Sequence, residues 1–243
     1  LTRDFDINAV AKLSLFDELP VENINLSEIT ISLAKASTVR RAIVEGHYSG
    51  VMPDACQEIY GAFLPNGVLV GVVLYGPGGS DKVLASILPG TTNQTGRELI
   101  RLWLHPNLQR NTASWLVSRT LKMLPPEVSL IVSFADSGQG HYGYVYQALN
   151  FSYLGMTNPG TRFVDTTGVE VTPRLANIYR MRRPEEFGDM SLQEIRDILG
   201  WTPVTNHSKH RYALGVGHNR KSTNRYLDSI SQPYPKPTRI VDD

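Results

Sequence analysis

The stretch RELIRLWLHPNLQRNTASWLVSRTLKMLPPEVSLIVSFADSGQGHYGYVYQALNFSYLG, residues 97–155, holds most of the side chains that can do chemistry. Asp136 ends an apolar run, where a carboxylate can face a substrate. Tyr142 and Tyr146 are one helical turn apart, so both phenols fall on one helix face. The turn Gln109, Arg110, Asn111, Thr112, Ala113, Ser114 joins a strand to a helix start. Unpaired amides and a positive helix dipole there favour phosphate oxygens, and Arg110 adds a charge-assisted contact. Upstream, the His47-Tyr48 pair follows a helix stop at Gly46, on a turn from which side chains can point into a cleft. A pyrophosphate cradle, a strand-end acid and a tyrosine pair together suggest a transferase that uses an acyl-coenzyme A thioester. The turn taken alone is also what any strand–turn–helix with small residues looks like.

The elements that must position these groups follow from periodicity. Residues 29–33 (ITISL) alternate as a short strand, and 34–45 follow as a helix. Residues 59–64 and 68–75 form a hairpin about Pro65-Asn66-Gly67, where Asn-Gly predicts a type I′ turn. A short helix is expected near 83–88. Residues 98–105 (ELIRLWLH) form an apolar strand with Arg101 and Trp103 on one face and Leu102 and Leu104 on the other. Residues 111–124 keep helical spacing, with Asn111 or Thr112 as cap, and Pro125-Pro126 ends them. Residues 129–135 form a buried strand, 141–149 a helix and 151–155 a strand. Beyond that the pattern weakens to a hairpin at 161–171, a capped helix at 191–199, a strand at 209–214, a helix at 219–230 and an extended tail at 233–237.

Composition narrows the class. The chain has 243 residues, 41% hydrophobic and 19% charged, enough for one sizeable core with an appended part. No apolar run reaches the length of a membrane span, and no secretory signal is visible. The single cysteine, Cys56, cannot form an internal disulfide, and a reducing compartment fits. A structural thiol is expected there in preference to a nucleophile. Net charge is only +1, but the first 30 residues are acidic and residues 205–243 are basic. That basic end suits a polyanionic partner, or equally a solvated tail.

The element order resembles the GNAT acyltransferase superfamily. Residues 109–114 resemble its Q-x-x-G-x-G loop, with Thr112 and Ser114 standing where glycines are usual. VYQALNF, residues 145–151, resembles its L-Y-x-x-x-G-F element, which implies that Tyr146 protonates the leaving thiolate. A closer resemblance is to the phage Mom DNA-modification family. It rests on His47-Tyr48-Ser49-Gly50, RELIRLW, NTASWLVSRTLK, SFADSGQGHYGYVYQALNFSYLG and Lys209-His210-Arg211-Tyr212. The resemblance spans residues 46–212.

It implies an α/β, GNAT-like, mixed central sheet that is splayed and flanked by helices. A catalytic core over residues 1–160 and a C-terminal extension over 161–243 are expected. It implies conversion of DNA adenine to N6-(carbamoylmethyl)adenine, which shields phage DNA from restriction in the cytoplasm of the infected host. The expected donor is acetyl-CoA or another acyl thioester, held by Leu104 and residues 109–114. The Leu104 backbone N–H would be the oxyanion donor, His47 or Asp136 the base and Tyr146 the acid, with Arg101 and Tyr48 in the same cleft. Iron is a further implied cofactor, with Tyr48 and Asp136 as ligands and His47 or His141 nearby; a hydrogen-bonded His47–Asp136 pair is the alternative. Reaching N6 in a duplex requires an extruded base, which Tyr48, Tyr142 and Tyr144 can stack. Arg40, Arg41, Lys209, Arg211, Arg220 and Lys221 are the expected phosphate contacts. Two other readings stay open: an ordinary GNAT N-acetyltransferase, and a non-catalytic DNA-binding protein on that scaffold. Oligomeric state is left open, a homodimer being one option.

Overall fold

The computed structural model describes residues 24–78, 80–171 and 173–237. The acidic residues of the first 22 positions, with Arg239, Asp242 and Asp243, lie outside them. The elements are β1 (Thr30–Leu33), α1 (Ala36–Gly46), β2 (Glu58–Phe63), β3 (Leu69–Gly76), α2 (Asp81–Ile87), β4 (Gly96–Leu104) and α3 (Thr112–Leu121). Next come β5 (Leu130–Asp136), α4 (Tyr144–Ala148), β6 (Ser152–Met156), β7 (Thr161–Val164), β8 (Glu170–Val171) and α5 (Arg174–Arg182). The last are α6 (Pro184–Phe187), α7 (Leu192–Ile198), β9 (Thr202–Thr205), β10 (Lys209–Gly215) and α8 (Arg220–Ser229).

The chain separates into two compact units. Among the described residues, the first holds those up to Ala135, then Tyr142–Gly155, and those from His210 to residue 237; the second holds Asp136–His141 and Met156–Lys209.

The large sheet runs β1-β2-β3-β4-β5-β10-β6. β1 to β4 form an antiparallel meander, and β4 pairs with β5 in parallel. Central β3 is buried along nearly its whole length, because both sheet faces are covered. Val39, Ala42 and Ile43 of α1 pack with Val72, Leu74 and Trp103 on one face. Leu116 and Val117 of α3 pack with Val73, Tyr75 and Leu99 on the other. The end of α1 presses on β4: a Cβ at Gly46 would meet the Trp103 indole nitrogen at 2.2 Å. The glycine that stops the helix thus also permits its close approach.

One buried ion pair fastens β2 to β4. Arg97 and Glu58 are 6% and 9% exposed and meet through Nε and Nη2 at 2.9–3.1 Å. The remaining Arg97 nitrogen, Nη1, donates to the carbonyls of Asn93, Gln94 and Gly96.

Several local expectations change. The 64–67 turn is not type I′: the Gly67 amide donates to Leu64 O, and only Gly67, at φ 85°, is left-handed. Pro65 fixes a negative φ at the first central position, which selects a type I turn followed by a left-handed glycine. The 141–149 helix shrinks to Tyr144–Ala148, because Gly143 sits at φ 73° against the Tyr212 ring. Tyr142 therefore precedes the helix and shares no helical face with Tyr146. Asn111 occupies the cap position of α3, but its side chain makes no capping bond and its φ is 68°. The Thr112 hydroxyl donates backward to Gln109 O.

In the second unit β8-β7-β9 form a small sheet. Phe163, Ala176, Phe187, Ile195 and Trp201 make its core. The capping box predicted at Ser191 and Glu194 is present. Helices α5 and α6 and strand β9 escaped sequence analysis.

Candidate active site

The central feature is a parting of strands. β4 and β5 pair only from Gly96/Leu130 to Leu99/Ser133, although β4 runs on to Leu104 and β5 to Asp136. The β3–β4 register shifts at the same level, between Leu74 and Tyr75, leaving Ile100 as the extra residue. A bulge bends and twists its strand, and here it bends β4 where β5 leaves it. The splay expected between these two strands is thus present.

The bulge also fixes where the β4 amides point. His105 N–H donates to Val70 O at 2.9 Å. In an antiparallel ladder neighbouring residues direct their amides to opposite sides. The Leu104 N–H, paired in register with Gly71, therefore faces away from β3 and into the gap left by β5. Donors aimed at such a gap are what a developing oxyanion requires.

Tyr146 stands at the start of this gap. Its phenol hydrogen-bonds with the Ser133 hydroxyl, which itself donates to Leu99 O, the last paired position of β4. Phe151 and Tyr212 flank the ring at centroid distances of 5.5 and 5.3 Å. Burial, first, pushes the Tyr146 pKa up to about 12; the Ser133 bond lowers it, while Tyr48, Glu98 and Tyr212 raise it. The phenol is therefore a standing proton donor at neutral pH.

His47 is oriented by its own turn. Its Nδ1 accepts the Ser49 amide at 3.1 Å and lies 2.9 Å from the Ser49 hydroxyl. With that lone pair engaged, neutral His47 carries its proton on Nε2 and presents a donor. The Tyr48 ring packs on it at 4.4 Å and is 54% exposed.

Arg101 is half-buried on β4. Its Nη1 donates to Ile100 O, its Nε is buried without a partner, and among the described residues no carboxylate forms a salt bridge with it. An unpaired, partly desolvated guanidinium is a ready contact for an anion. Cys56 lies within its field; burial pushes the thiol pKa up and Arg101 opposes that. The Cys56 thiol donates to Pro53 O at 3.5 Å, in keeping with a structural role.

At the α3 start, Asn111 adopts the left-handed conformation that glycine adopts readily. Among the described residues the Ala113 and Ser114 amides have no acceptor. Thr112 is buried and its hydroxyl turns inward to Gln109 O, while Ser114 Oγ donates to Asn111 O. The residues replacing glycines thus spend their hydroxyls on the backbone; the Thr112 amide also donates to Gln109 O, so of the first α3 amides only those of Ala113 and Ser114 stay without an acceptor among the described residues. Arg110 is exposed, and Gln109 is tied to Ile24 O.

The sequence pattern of the Mom protein family matches residues 28–236. The chain belongs to the Mom family. It is 33% identical over 213 residues to the methylcarbamoylase Mom of Escherichia phage Mu, covering 86% of this chain and 84% of that protein. This Mom-family chain is thereby a transferase. Among solved structures it is similar to a spermidine N-acetyltransferase variant from Vibrio cholerae (10% identity, 84% and 98% of the two chains, TM-score 0.44). It is also similar to an acetyltransferase from Salmonella typhimurium with its cofactor acetyl-CoA (12% identity, 79% and 95%, TM-score 0.42).

The other expected residues of this Mom-family chain lie as follows. Asp136, in the second unit, is half-buried; its Oδ1 accepts the Gly138 amide at 2.9 Å and its carbonyl accepts the His141 amide. Among the described residues no three His, Cys, Asp or Glu side chains gather around a possible cation, so the expected iron ligands are not supported. Tyr142 is half-buried beside Tyr144 (6.0 Å) and His210 (5.7 Å), and its carbonyl accepts from Tyr212 and Gln147. Tyr144 is 58% exposed on this braced segment. Arg41 is exposed and pairs with Glu45, and Arg211 is half-buried and donates to Leu154 O. Arg40, Arg220 and Lys221 are exposed, and Lys209 is half-buried. Among the described residues no helix is long and apolar enough to cross a membrane.

The buried phenols give a test of pH dependence. Tyr146 and Tyr212 are both pushed up to about 12, and Tyr75 is also raised, in each case chiefly by burial. Such groups stay protonated in the fold when the unfolded chain already ionises near 10. Their stabilising contribution is complete below about pH 10 and is lost as pH rises toward 12. Melting temperatures across that range are expected to fall together with the appearance of phenolate absorbance. A flat profile would contradict the burial of these hydroxyls.

Proposed function

We propose that this transferase modifies adenine in DNA, giving N6-(carbamoylmethyl)adenine, and that the modification shields phage DNA from restriction in the host cytoplasm. The observation that carries the reading is the gap between β4 and β5 beyond Leu99 and Ser133, with a β4 amide aimed into it and Tyr146 at its start. An acyl-coenzyme A fits this arrangement: the α3 amides take the pyrophosphate, the Leu104 amide takes the thioester oxygen, and Tyr146 delivers a proton to the departing thiolate. Arg101 supplies the anion contact at the site. His47 acts as an oriented donor, and the base role falls to Asp136. Tyr48, Tyr142 and Tyr144 offer aromatic faces to an extruded base, each such stack worth about 1–3 kcal/mol. Arg40, Lys209, Arg220 and Lys221 take phosphates.

Simple thioester aminolysis at N6 would give an amide. The carbamoylmethyl product instead joins N6 to a methylene carbon and carries a terminal amide. From an acetyl donor it would need in addition an amide nitrogen and a two-electron oxidation of the methyl carbon. The residues of this site therefore account for donor binding and thiolate release and not for the N6–methylene bond. No step is assigned to iron, because no cluster of His, Cys, Asp and Glu side chains among the described residues supports a metal centre.

Asp136→Ala is expected to abolish modification while the melting temperature stays near that of the parent protein; full activity would remove Asp136 from the mechanism. The direct test of the donor is to incubate purified protein, duplex DNA and acetyl-CoA and follow free thiol. DNA-dependent thiol release supports the reading; release without DNA but with a small-molecule or protein amine would favour an ordinary N-acetyltransferase.

A further inference from the structure

Helix α5, on which sequence analysis placed nothing, carries an unusual distribution of charge. Residues 173–183 hold Arg174, Arg180, Arg182 and Arg183 and no acid. Most arginines of the second unit are already engaged. Arg162 pairs with Glu170 at 3.0 Å, Arg183 pairs with Glu186, Arg180 donates to Asn177, and Arg196 lies over the Phe163 ring at 4.6 Å. Arg174 and Arg182 are the exceptions. Both are exposed, and among the described residues neither has a salt bridge or hydrogen-bond partner through its side chain.

Their spacing makes them a pair. Eight residues apart, they share one helix face at a separation of about 12 Å along the axis. Ile178 and Met181 lie on the same face, 36% and 73% exposed, and Met181 is the most exposed large hydrophobic residue described. The opposite face is anchored. Ala176 is fully buried, and the Tyr179 ring packs against Phe187 at 6.1 Å and Trp201 at 6.4 Å. The helix is therefore held firmly while presenting two unneutralised cations with apolar surface between them.

We infer that this face of α5 is a DNA-backbone contact: Arg174 and Arg182 bind phosphates of one strand, and Ile178 and Met181 cover the apolar sugar edge between them. The inference rests on the DNA reading above, and charge complementarity selects the occupant. Phosphate contacts of this kind position a protein on DNA without reading its sequence.

The test compares the full chain with Arg174→Gln/Arg182→Gln in binding to a fluorescent duplex over a salt series. Each phosphate contact contributes about 0.9 to the slope of log K against log salt, so the double variant should lower the slope by roughly 2, equally for unrelated sequences. Arg174→Lys/Arg182→Lys should restore the slope, and equal melting temperatures would show that folding is intact. An unchanged slope would overturn the inference and leave the DNA reading standing. Absence of duplex binding by the parent protein would overturn both. Arginine-dependent binding to anionic lipid vesicles in place of duplex would assign the face to a membrane surface and overturn it as well.

Discussion

Tyr146→Phe is expected to slow turnover by about 10²–10⁴-fold while leaving donor affinity and fold intact. The substitution removes one hydroxyl and keeps the ring between Phe151 and Tyr212. The lost group is the one whose pKa is pushed up to about 12, so the proton it holds is present throughout the neutral range. An acid with that pKa cannot be limited by its own ionisation below about pH 11, and the parent enzyme should show no alkaline loss of rate from this group in that window. The hydroxyl's partner, Ser133, keeps its bond to Leu99 O in the variant, so the end of the β4–β5 pairing is undisturbed. Steady-state rates with donor binding measured separately check this. A variant with normal kcat would remove Tyr146 from proton transfer; one with normal kcat and weakened donor binding would make it a packing residue.

Glu58→Ala is expected to destabilise the protein by about 3–5 kcal/mol. The reason is the charge left behind. Arg97 cannot discard its proton, and without Glu58 its Nε and Nη2 face a buried space with no acceptor. The three carbonyls on Nη1 satisfy hydrogen bonds but supply no countercharge. For a chain of this size such a loss lowers the melting temperature by roughly 6–20 °C. The effect should reach the site, because Arg97 lies on β4 two residues before Leu99, where pairing with β5 ends. A double variant replacing both residues with apolar ones of similar volume should recover most of the loss. Denaturant midpoints at fixed m-value measure both. A change below about 1 kcal/mol for Glu58→Ala would mean that water reaches the pair.

Much of this was legible in the sequence. β5 reads as a buried strand because a continuous apolar run leaves few alternatives, β3 reads as one arm of a hairpin from its turn residues, and the capping box at Ser191 announces α7 by its side-chain chemistry. Strand parting was expected from family resemblance; no residue pattern in β4 states it. The bulge at Ile100 that accompanies it changes the ladder count but not the hydrophobicity, so periodicity is blind to it. The α4 start was misplaced for a related reason. Gly143 is left-handed at φ 73° and lies against the ring of Tyr212, which is distant in sequence. The partners of Arg41 and Arg211, the Glu45 carboxylate and the Leu154 carbonyl, become visible only in the fold. Helix α5 went unread because its buried face is small and aromatic, Ala176 and Tyr179, set among arginines that depress its apparent amphipathicity. The signal available was the acid-free arginine run.

The most direct measurement is the mass of adenosine recovered from DNA. The protein is expressed in a bacterial host, the DNA is digested to nucleosides, and these are weighed by mass spectrometry. The account predicts a new adenosine heavier by one carbamoylmethyl group, strongly reduced when Tyr146→Phe replaces the parent protein and absent with Asp136→Ala. An adenosine pool without any modified species, despite abundant folded protein, would contradict it.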